Sequence, residues 1–455
     1  MRTVVRLSSF MAMTVVISVV AAGEKMPSQE EMWRIIQQQQ QEIEALKARL
    51  EARSEGGSQA KTEAEVKEVK RQTSILAEEM EKVRTLLVIP EEPKYKSVYG
   101  LGPAASKVYQ VGKGLSIGGY GEGRYQIFTD DQNGKQDNAD FVRLVLYTGY
   151  KFNDWILFNS EIEFEHASTG KNGEVSVEFA ALDFFLDPKI NFRAGMVLLP
   201  VGFLNTIHEP PFYFGNNRPE VEQRIIPSTW REFGAGLFGE IYPGLTYTTY
   251  VVNGIRASDF ESSGIRGGRQ GGSKAKAENL AWVGRLDYAV PQLTGLTVGA
   301  AAYLGNSAQD EIGSAGVFTQ LYEGHVQWKY RGLEFRALGA WSHIDDAGKV
   351  SSAVGETVGE QQFGWYTELG YNILPWLLPE STQYLAPFFR YEQWDTIAKA
   401  PKGFSDDPRF ARHLWQLGLH YKPIPNVVIK ADYRNIDAKR GDVADEFNLG
   451  LGFIF

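Results

Sequence analysis

Residues 155–166 read WILFNSEIEFEH, and this stretch decides the fold. Large apolar and polar residues alternate along it, which is the two-residue period of a β-strand. One face would carry Ile156, Phe158, Ile162 and Phe164, and the other Asn159, Glu161, Glu163 and Glu165. A row of carboxylates requires water, whereas the opposite face requires lipid or a protein core. A transmembrane barrel provides both, because its outer face contacts lipid and its lumen is wet.

The same alternation recurs from residue 115 to residue 455. It predicts strands near residues 115–128, 140–152, 155–167, 174–187, 190–200, 233–242, 244–255, 279–290, 294–305, 317–330, 332–344, 361–373, 383–396, 410–422, 426–438 and 445–455. Tight turns and long loops alternate between them, as in outer-membrane barrels, whose short turns are periplasmic. We therefore predict an all-β fold, a 16-stranded antiparallel transmembrane β-barrel in the bacterial outer membrane, preceded by a periplasmic α-helical coiled coil.

The composition excludes several classes of protein. The 455 residues contain no cysteine, which excludes disulfides and thiolate metal sites. Beyond the first two dozen residues there is no run of about 18 apolar residues, so helical membrane spans are excluded. The net charge is −9 without a basic cluster, which argues against nucleic acid as a partner. We expect no cofactor.

The first 114 residues predict three segments. Residues 1–23 resemble a signal peptide, with Arg2 and Arg6 before a short apolar stretch. Residues 24–93 contain apolar residues at alternating spacings of three and four, which predicts a coiled coil. Its two helices could fold back on each other, but we favour assembly with copies of the same chain; a low-complexity spacer is the alternative. Its seam residues are Met32, Ile36, Gln39, Ile43, Leu46 and Leu50, then Val69, Thr73, Leu76, Met80, Val83 and Leu87. Residues 94–114 are assigned to a linker, and residues 115–455 to the barrel.

Several motifs resemble the phosphate-selective porin O and P family. They are the first-strand stretch Gly118–Glu122, the stretch Phe141–Leu144, the hairpin around Phe152 to His166, and the stretch from Arg193 to Gly202. The resemblance implies a 16-stranded diffusion channel that assembles as a homotrimer. The terminal Phe455, after an alternating strand, resembles the signal read by the barrel-assembly machinery.

Charged residues on the wet faces of the strands are the predicted pore lining: Arg124, Arg143, Glu161, Glu163, Glu165, Arg193, Arg285, Lys329, Arg336, Arg390, Lys430 and Arg434. Because both signs occur, we do not transfer phosphate specificity from the resemblance. The row of Glu161, Glu163 and Glu165 could bind a divalent cation, but we interpret it as a solvated lumen face. The histidines are scattered singly, so we expect no metal site.

The longest connection, residues 201–232, is predicted to fold inward and to form the constriction. Its candidate residues are His208, Glu209, Arg218, Glu220, Glu222, Arg224, Arg231 and Glu232. Charges of both signs would create a transverse field; alternatively, several of them pair and fasten the loop to the wall.

These features favour a porin for small hydrophilic, charged solutes, including anions such as phosphate. An enzyme is not expected, because no nucleophile with a recognisable base spacing is present. The alternative is an envelope-tethering protein whose coiled coil contacts peptidoglycan. The expected partners are outer-membrane lipids, copies of the same chain and the barrel-assembly machinery.

Overall fold

The computed structural model describes residues 96–129, 134–170 and 172–455, and residues 115–455 form a closed antiparallel barrel of sixteen strands. The predicted signal peptide and coiled coil lie outside the described residues, and so does the expected contact of the coiled coil with peptidoglycan. The strands are β1 (Gly114–Phe128), β2 (Asn138–Lys151), β3 (Ile156–Glu165), β4 (Val175–Asp187), β5 (Ile190–Leu198), β6 (Arg231–Tyr242), β7 (Leu245–Asn253), β8 (Leu280–Ala289), β9 (Leu296–Asn306), β10 (Phe318–Tyr330), β11 (Leu333–Ile344), β12 (Gln361–Tyr371), β13 (Tyr384–Lys399), β14 (Ala411–Ile424), β15 (Val427–Ala438) and β16 (Glu446–Ile454). The predicted 16-stranded barrel is confirmed.

Each strand pairs with its neighbour in sequence, and β1 closes the barrel against β16. Gly119 and Phe455 exchange two backbone hydrogen bonds of 3.0 and 2.9 Å at this seam. A Cβ atom at Gly119 would lie only 2.4 Å from the carbonyl oxygen of Val145. Glycine is therefore required at this position, where β1 lies close to the backbone of its other neighbour, β2.

The alternation assigns residues correctly to the two faces of the wall, but Glu161 and Glu163 do not form the solvated lumen face that we expected, because they are buried and L3 contacts Glu161. On β3, Glu161 is fully buried and Glu163 is 2% exposed, whereas Phe164 is 38% exposed. Large apolar side chains are exposed all around the outside, including Leu115, Phe233, Leu286, Leu417 and Leu451. An apolar exterior of this extent is typical of a wall that contacts lipid.

Three helices lie in the connections: α1 (Val221–Arg224), α2 (Ala347–Val354) and α3 (Leu374–Leu377). Short 3₁₀ turns occur at Ala105–Gln110, Pro210–Phe212, Ala257–Asp259, Arg266–Gly268 and Pro408–Phe410. In the part of the chain described here, no helix is both long and apolar enough to cross a bilayer.

Two long loops enter the lumen from the same rim: L3 (residues 199–230) and L4 (residues 254–279). Their residues Val221, Ile225 and Ile265 are completely buried and belong to one apolar cluster with the inner face of the wall. Trp230 of L3 packs on Tyr303 of β9, with ring centroids 4.6 Å apart. Each such buried side chain contributes roughly 2 kcal/mol, so L3 and L4 are held firmly inside the barrel.

A third segment, residues 96–113, folds with the barrel although the sequence assigns it to a linker. We call it the inner segment. Ala105 and Val108 are 3% and 2% exposed. The carbonyl oxygen of Ala105 accepts a hydrogen bond of 2.9 Å from Asn159 of β3, and the Tyr109 hydroxyl donates one of 2.8 Å to Asp183 of β4. The inner segment thus occupies the lumen at the rim of short turns, opposite the rim from which L3 enters.

Candidate functional site

Basic residues of the wall fasten L3 by donating hydrogen bonds to it. Arg390 reaches the carbonyl oxygens of Phe214 and Asn217, at 2.7 and 3.2 Å. Three more wall residues each donate to one backbone carbonyl oxygen of L3: Arg336 to Phe212, Lys430 to Gly215 and Arg285 to Gly202. Arg434 pairs with Glu220 at 2.7 Å, and Arg124 with Asn217. These predicted pore-lining cations therefore serve largely as an anchor for the loop.

The other wall charges are mostly paired with one another. Arg143 contacts both Glu122 and Glu163, at 2.8 and 2.7 Å. Arg193 contacts Asp183 at 2.6 Å, and Lys329 contacts Glu334 at 3.2 Å. Glu165 lies nearer the loop rim and is partly exposed. Pairing of this kind cancels much of the field that an isolated charge would produce.

Two acidic residues predicted for the constriction, Glu222 and Glu232, also hold the loops in place. Glu222 accepts hydrogen bonds from the backbone of Leu204 and from Tyr366, at 2.7 and 2.6 Å. Glu232 accepts one of 2.9 Å from the backbone of Gln270 and so holds L4. Both carboxyl groups are fully buried. They fasten the two loops and do not face an open passage.

His208 and Glu209, also predicted for the constriction, are at most 1% exposed. The imidazole of His208 lies 3.0 Å from Glu161. Burial, followed by repulsion from Arg218, lowers the pKa of His208 to about 4. Glu209 joins L3 to the inner segment, because its Oε1 accepts hydrogen bonds from the backbone of Ala104 and Ala105, at 2.9 and 3.2 Å.

Glu209 should make the stability of the barrel depend on pH. Burial raises the pKa of Glu209 to about 8, above the value of about 4.3 in an unfolded chain. Glu209 therefore binds a proton on folding, and its contribution is present at low pH and is lost as the pH rises through about 8. The urea midpoint should fall less between about pH 6 and about pH 9 in Glu209→Gln than in the wild type. Equal falls would contradict this assignment.

Four arginines of L3 and L4 lie close together, and three of them have no salt-bridge partner among the described residues. Arg218 and Arg224 belong to L3, and Arg266 and Arg269 to L4. Burial, then repulsion from Arg269, Arg218 and Arg224, lowers the pKa of Arg266 to about 9. Burial lowers that of Arg269 to about 10. Arg266 and Arg269 therefore remain protonated at neutral pH, and all four arginines are partly exposed. We call them the arginine cluster.

Within this cluster the positive charge is poorly compensated. Among the described residues, neither Arg218 nor Arg266 lies within salt-bridge distance of a carboxylate, and each has one buried guanidinium nitrogen without a hydrogen-bond partner. Arg269 donates to backbone oxygens of Thr229 and Arg266, which leaves its charge unneutralised. Arg224 has Glu220 at 3.2 Å. The third arginine predicted for the constriction, Arg231, is instead paired with Glu178 at 3.1 Å.

Arg266 and Arg269 are functional candidates that the sequence analysis did not identify. The sequence signal was the stretch Arg266-Gly267-Gly268-Arg269 in a long loop. The same loop contains Phe260 and Ile265, large apolar side chains that are unfavourable when exposed to solvent. That combination indicates a loop that folds into a core and carries its charges with it.

No protein-family profile matches the chain. Its barrel is similar to three solved structures: OmpF of Salmonella typhi in complex with daunomycin (12% identity, 76% of this chain and 98% of that chain, TM-score 0.51), an anion-selective porin from Comamonas acidovorans (9%, 75% and 99%, 0.51), and a loop-deletion mutant of the outer-membrane protein OmpT of Vibrio cholerae (12%, 76% and 100%, 0.50). At such low identity, these structures show the fold alone.

The sequence comparison gives a closer relative. A protein of Aquifex aeolicus, described as uncharacterized, is 38% identical over 389 residues, which are 82% of this chain and 87% of that protein. The chain therefore belongs to the same family as the Aquifex aeolicus protein, and its barrel has the fold of the outer-membrane porins.

Proposed function

We propose that this protein is an outer-membrane channel that lets small hydrophilic anions, including phosphate, diffuse through a constriction formed by L3 and L4. The arginine cluster is the observation that carries this proposal. The apolar outer face and the closed porin fold support the location in the membrane. Assembly as a homotrimer, recognition of Phe455 by the barrel-assembly machinery and membership of the phosphate-selective O and P family belong to the same proposal, as does the absence of enzymatic activity.

Uncompensated cations act most strongly where the passage is narrow and its walls have a low dielectric constant. Field lines are focused there, which concentrates anions and excludes cations. The neighbouring wall charges contribute less, because Arg143 and Arg390 each have carboxylate partners. Selectivity should therefore depend on the loop arginines rather than on the arginines of the strands.

Replacing Arg218 and Arg266 together by alanine should reduce the anion-to-cation permeability ratio about tenfold, corresponding to about 1.4 kcal/mol in the electrostatic free energy of the permeating ion. The measurement is the reversal potential of the purified protein in planar bilayers under a KCl gradient and then a potassium phosphate gradient. Neither side chain forms a salt bridge within the described chain, so the barrel should fold normally.

Arg409→Ala is the matched control. Arg409 lies in an outer loop and pairs with Asp407, and its side chain is 65% exposed. Its removal should leave the reversal potential unchanged. The proposal fails if the wild type does not prefer anions, or if the double variant has the same reversal potential as Arg409→Ala.

A further inference from the structure

Three buried side chains that belong to different segments meet where L3 crosses the wall. Glu161 comes from β3, Glu178 from β4 and His208 from L3. The Nε2 atom of His208 lies 3.0 Å from Glu161 Oε1 and 3.6 Å from Glu178 Oε2. One nitrogen or oxygen atom of each residue lies within 4.8 Å of those of the other two. All three residues are at most 1% exposed.

One polar atom of each of these three side chains has no hydrogen-bond partner among the described residues. These atoms are Glu161 Oε2, Glu178 Oε2 and His208 Nδ1, and all three are buried. Two of the surrounding cations are engaged elsewhere, because Arg231 binds the other oxygen of Glu178 and Arg143 binds Glu163 and Glu122. A third, Arg218, lies near His208 but forms no salt bridge with either carboxylate among the described residues. Buried carboxylate oxygens without donors destabilise a fold unless a cation or a proton compensates them.

We infer that Glu161, Glu178 and His208 form a binding site for a divalent first-row transition-metal ion such as Zn²⁺. A tetrahedral ion bound at about 2.1 Å holds its ligand atoms about 3.4 Å apart, close to the two distances observed here. An imidazole beside two carboxylates favours Zn²⁺ over Mg²⁺ or Ca²⁺, which prefer oxygen ligands alone. Three protein ligands leave the fourth position for water.

The bound ion would connect L3 to two strands of the wall. His208 is the only one of the three ligands that belongs to the loop, so the ion would fix the start of L3 beside Glu209 and the inner segment. This inference goes beyond the channel proposal and does not depend on it, because metal binding is measured without any transport assay.

The test is isothermal titration of Zn²⁺ into the chelator-treated, detergent-solubilised full-length mature protein. The wild type should bind one Zn²⁺ at a saturable site, and Co²⁺ should give visible d–d absorption at the same stoichiometry. The double variant Glu161→Gln/Glu178→Gln should lose at least about 100-fold in affinity, since changes in the surrounding shell alone cost 10–100-fold. Mg²⁺ should not displace Zn²⁺.

Glu165→Gln is the matched control, because Glu165 lies on the same strand outside this cluster. His208→Gln changes only the loop ligand, so it decides the test if the double variant does not fold. The inference is overturned if the wild type has no saturable Zn²⁺ site. It is equally overturned if His208→Gln, or a folded double variant, binds Zn²⁺ as tightly as Glu165→Gln.

Discussion

Replacing Arg390 by alanine should lower the free energy of unfolding of the barrel by about 3–5 kcal/mol, the cost of leaving a buried charge without its partner. The Arg390 guanidinium is 1% exposed and donates to Glu368 at 2.8 Å and to Gln416 at 2.9 Å. It also donates to two carbonyl oxygens of L3. Its removal leaves Glu368 buried without an arginine and two loop carbonyls without a donor.

The measurement is the urea midpoint of the folded barrel in detergent or lipid, followed by the band shift between folded and heat-denatured protein on gels. Arg390→Lys should also be destabilised, because a single ammonium group cannot replace a planar guanidinium that reaches several acceptors. Arg409→Ala, whose side chain is exposed, should have a urea midpoint close to that of the wild type. A midpoint for Arg390→Ala equal to that of Arg409→Ala would show that the anchor adds no stability.

Arg390 also shows which parts of this fold the sequence predicts and which it does not. Its position on the inner face of the wall follows from the alternation of β13. The positions of Glu161 and Glu163 follow in the same way from the alternation of β3. A two-residue period specifies which face a side chain occupies, and therefore all sixteen strands were predictable. The acceptor that Arg390 finds across the lumen was not predictable, because Asn217 lies 173 residues away in a loop without a period.

The same limit applies to the candidate site. The length and the prolines of L3 indicate that it folds inward. The sequence does not show, however, that Glu222 accepts a hydrogen bond from Tyr366 whereas Arg218 has no acidic partner among the described residues. The metal-ligand cluster combines residues from three segments, so no local spacing reveals it. The inner segment has neither strand alternation nor a long helical period, and its position depends on packing and hydrogen bonds with residues that are distant in sequence, such as Asn159 and Glu209.

Placing two carboxylates in the inner segment should release it from the wall and enlarge the passage. Ala105 and Val108 pack against the wall, where a Cβ atom at Gly149 would lie 2.5 Å from Val108. In Ala105→Asp/Val108→Asp, burying two unpaired charges would cost several kcal/mol, more than the apolar contacts contribute. The two substitutions would also disturb the contact with L3, where Glu209 accepts hydrogen bonds from the backbone of Ala104 and Ala105.

Single-channel conductance should then rise about twofold, because a helical turn about 10 Å across would leave the lumen of a porin-sized barrel. Lys113→Asp is the matched control: it changes the net charge by the same two units in the same segment, but its side chain is exposed. A purely electrostatic effect would change the conductance of both variants alike, whereas release of the inner segment would widen the passage, and raise the conductance, only in the double variant. Equal conductance in the folded double variant and in Lys113→Asp would show that the inner segment does not restrict the passage.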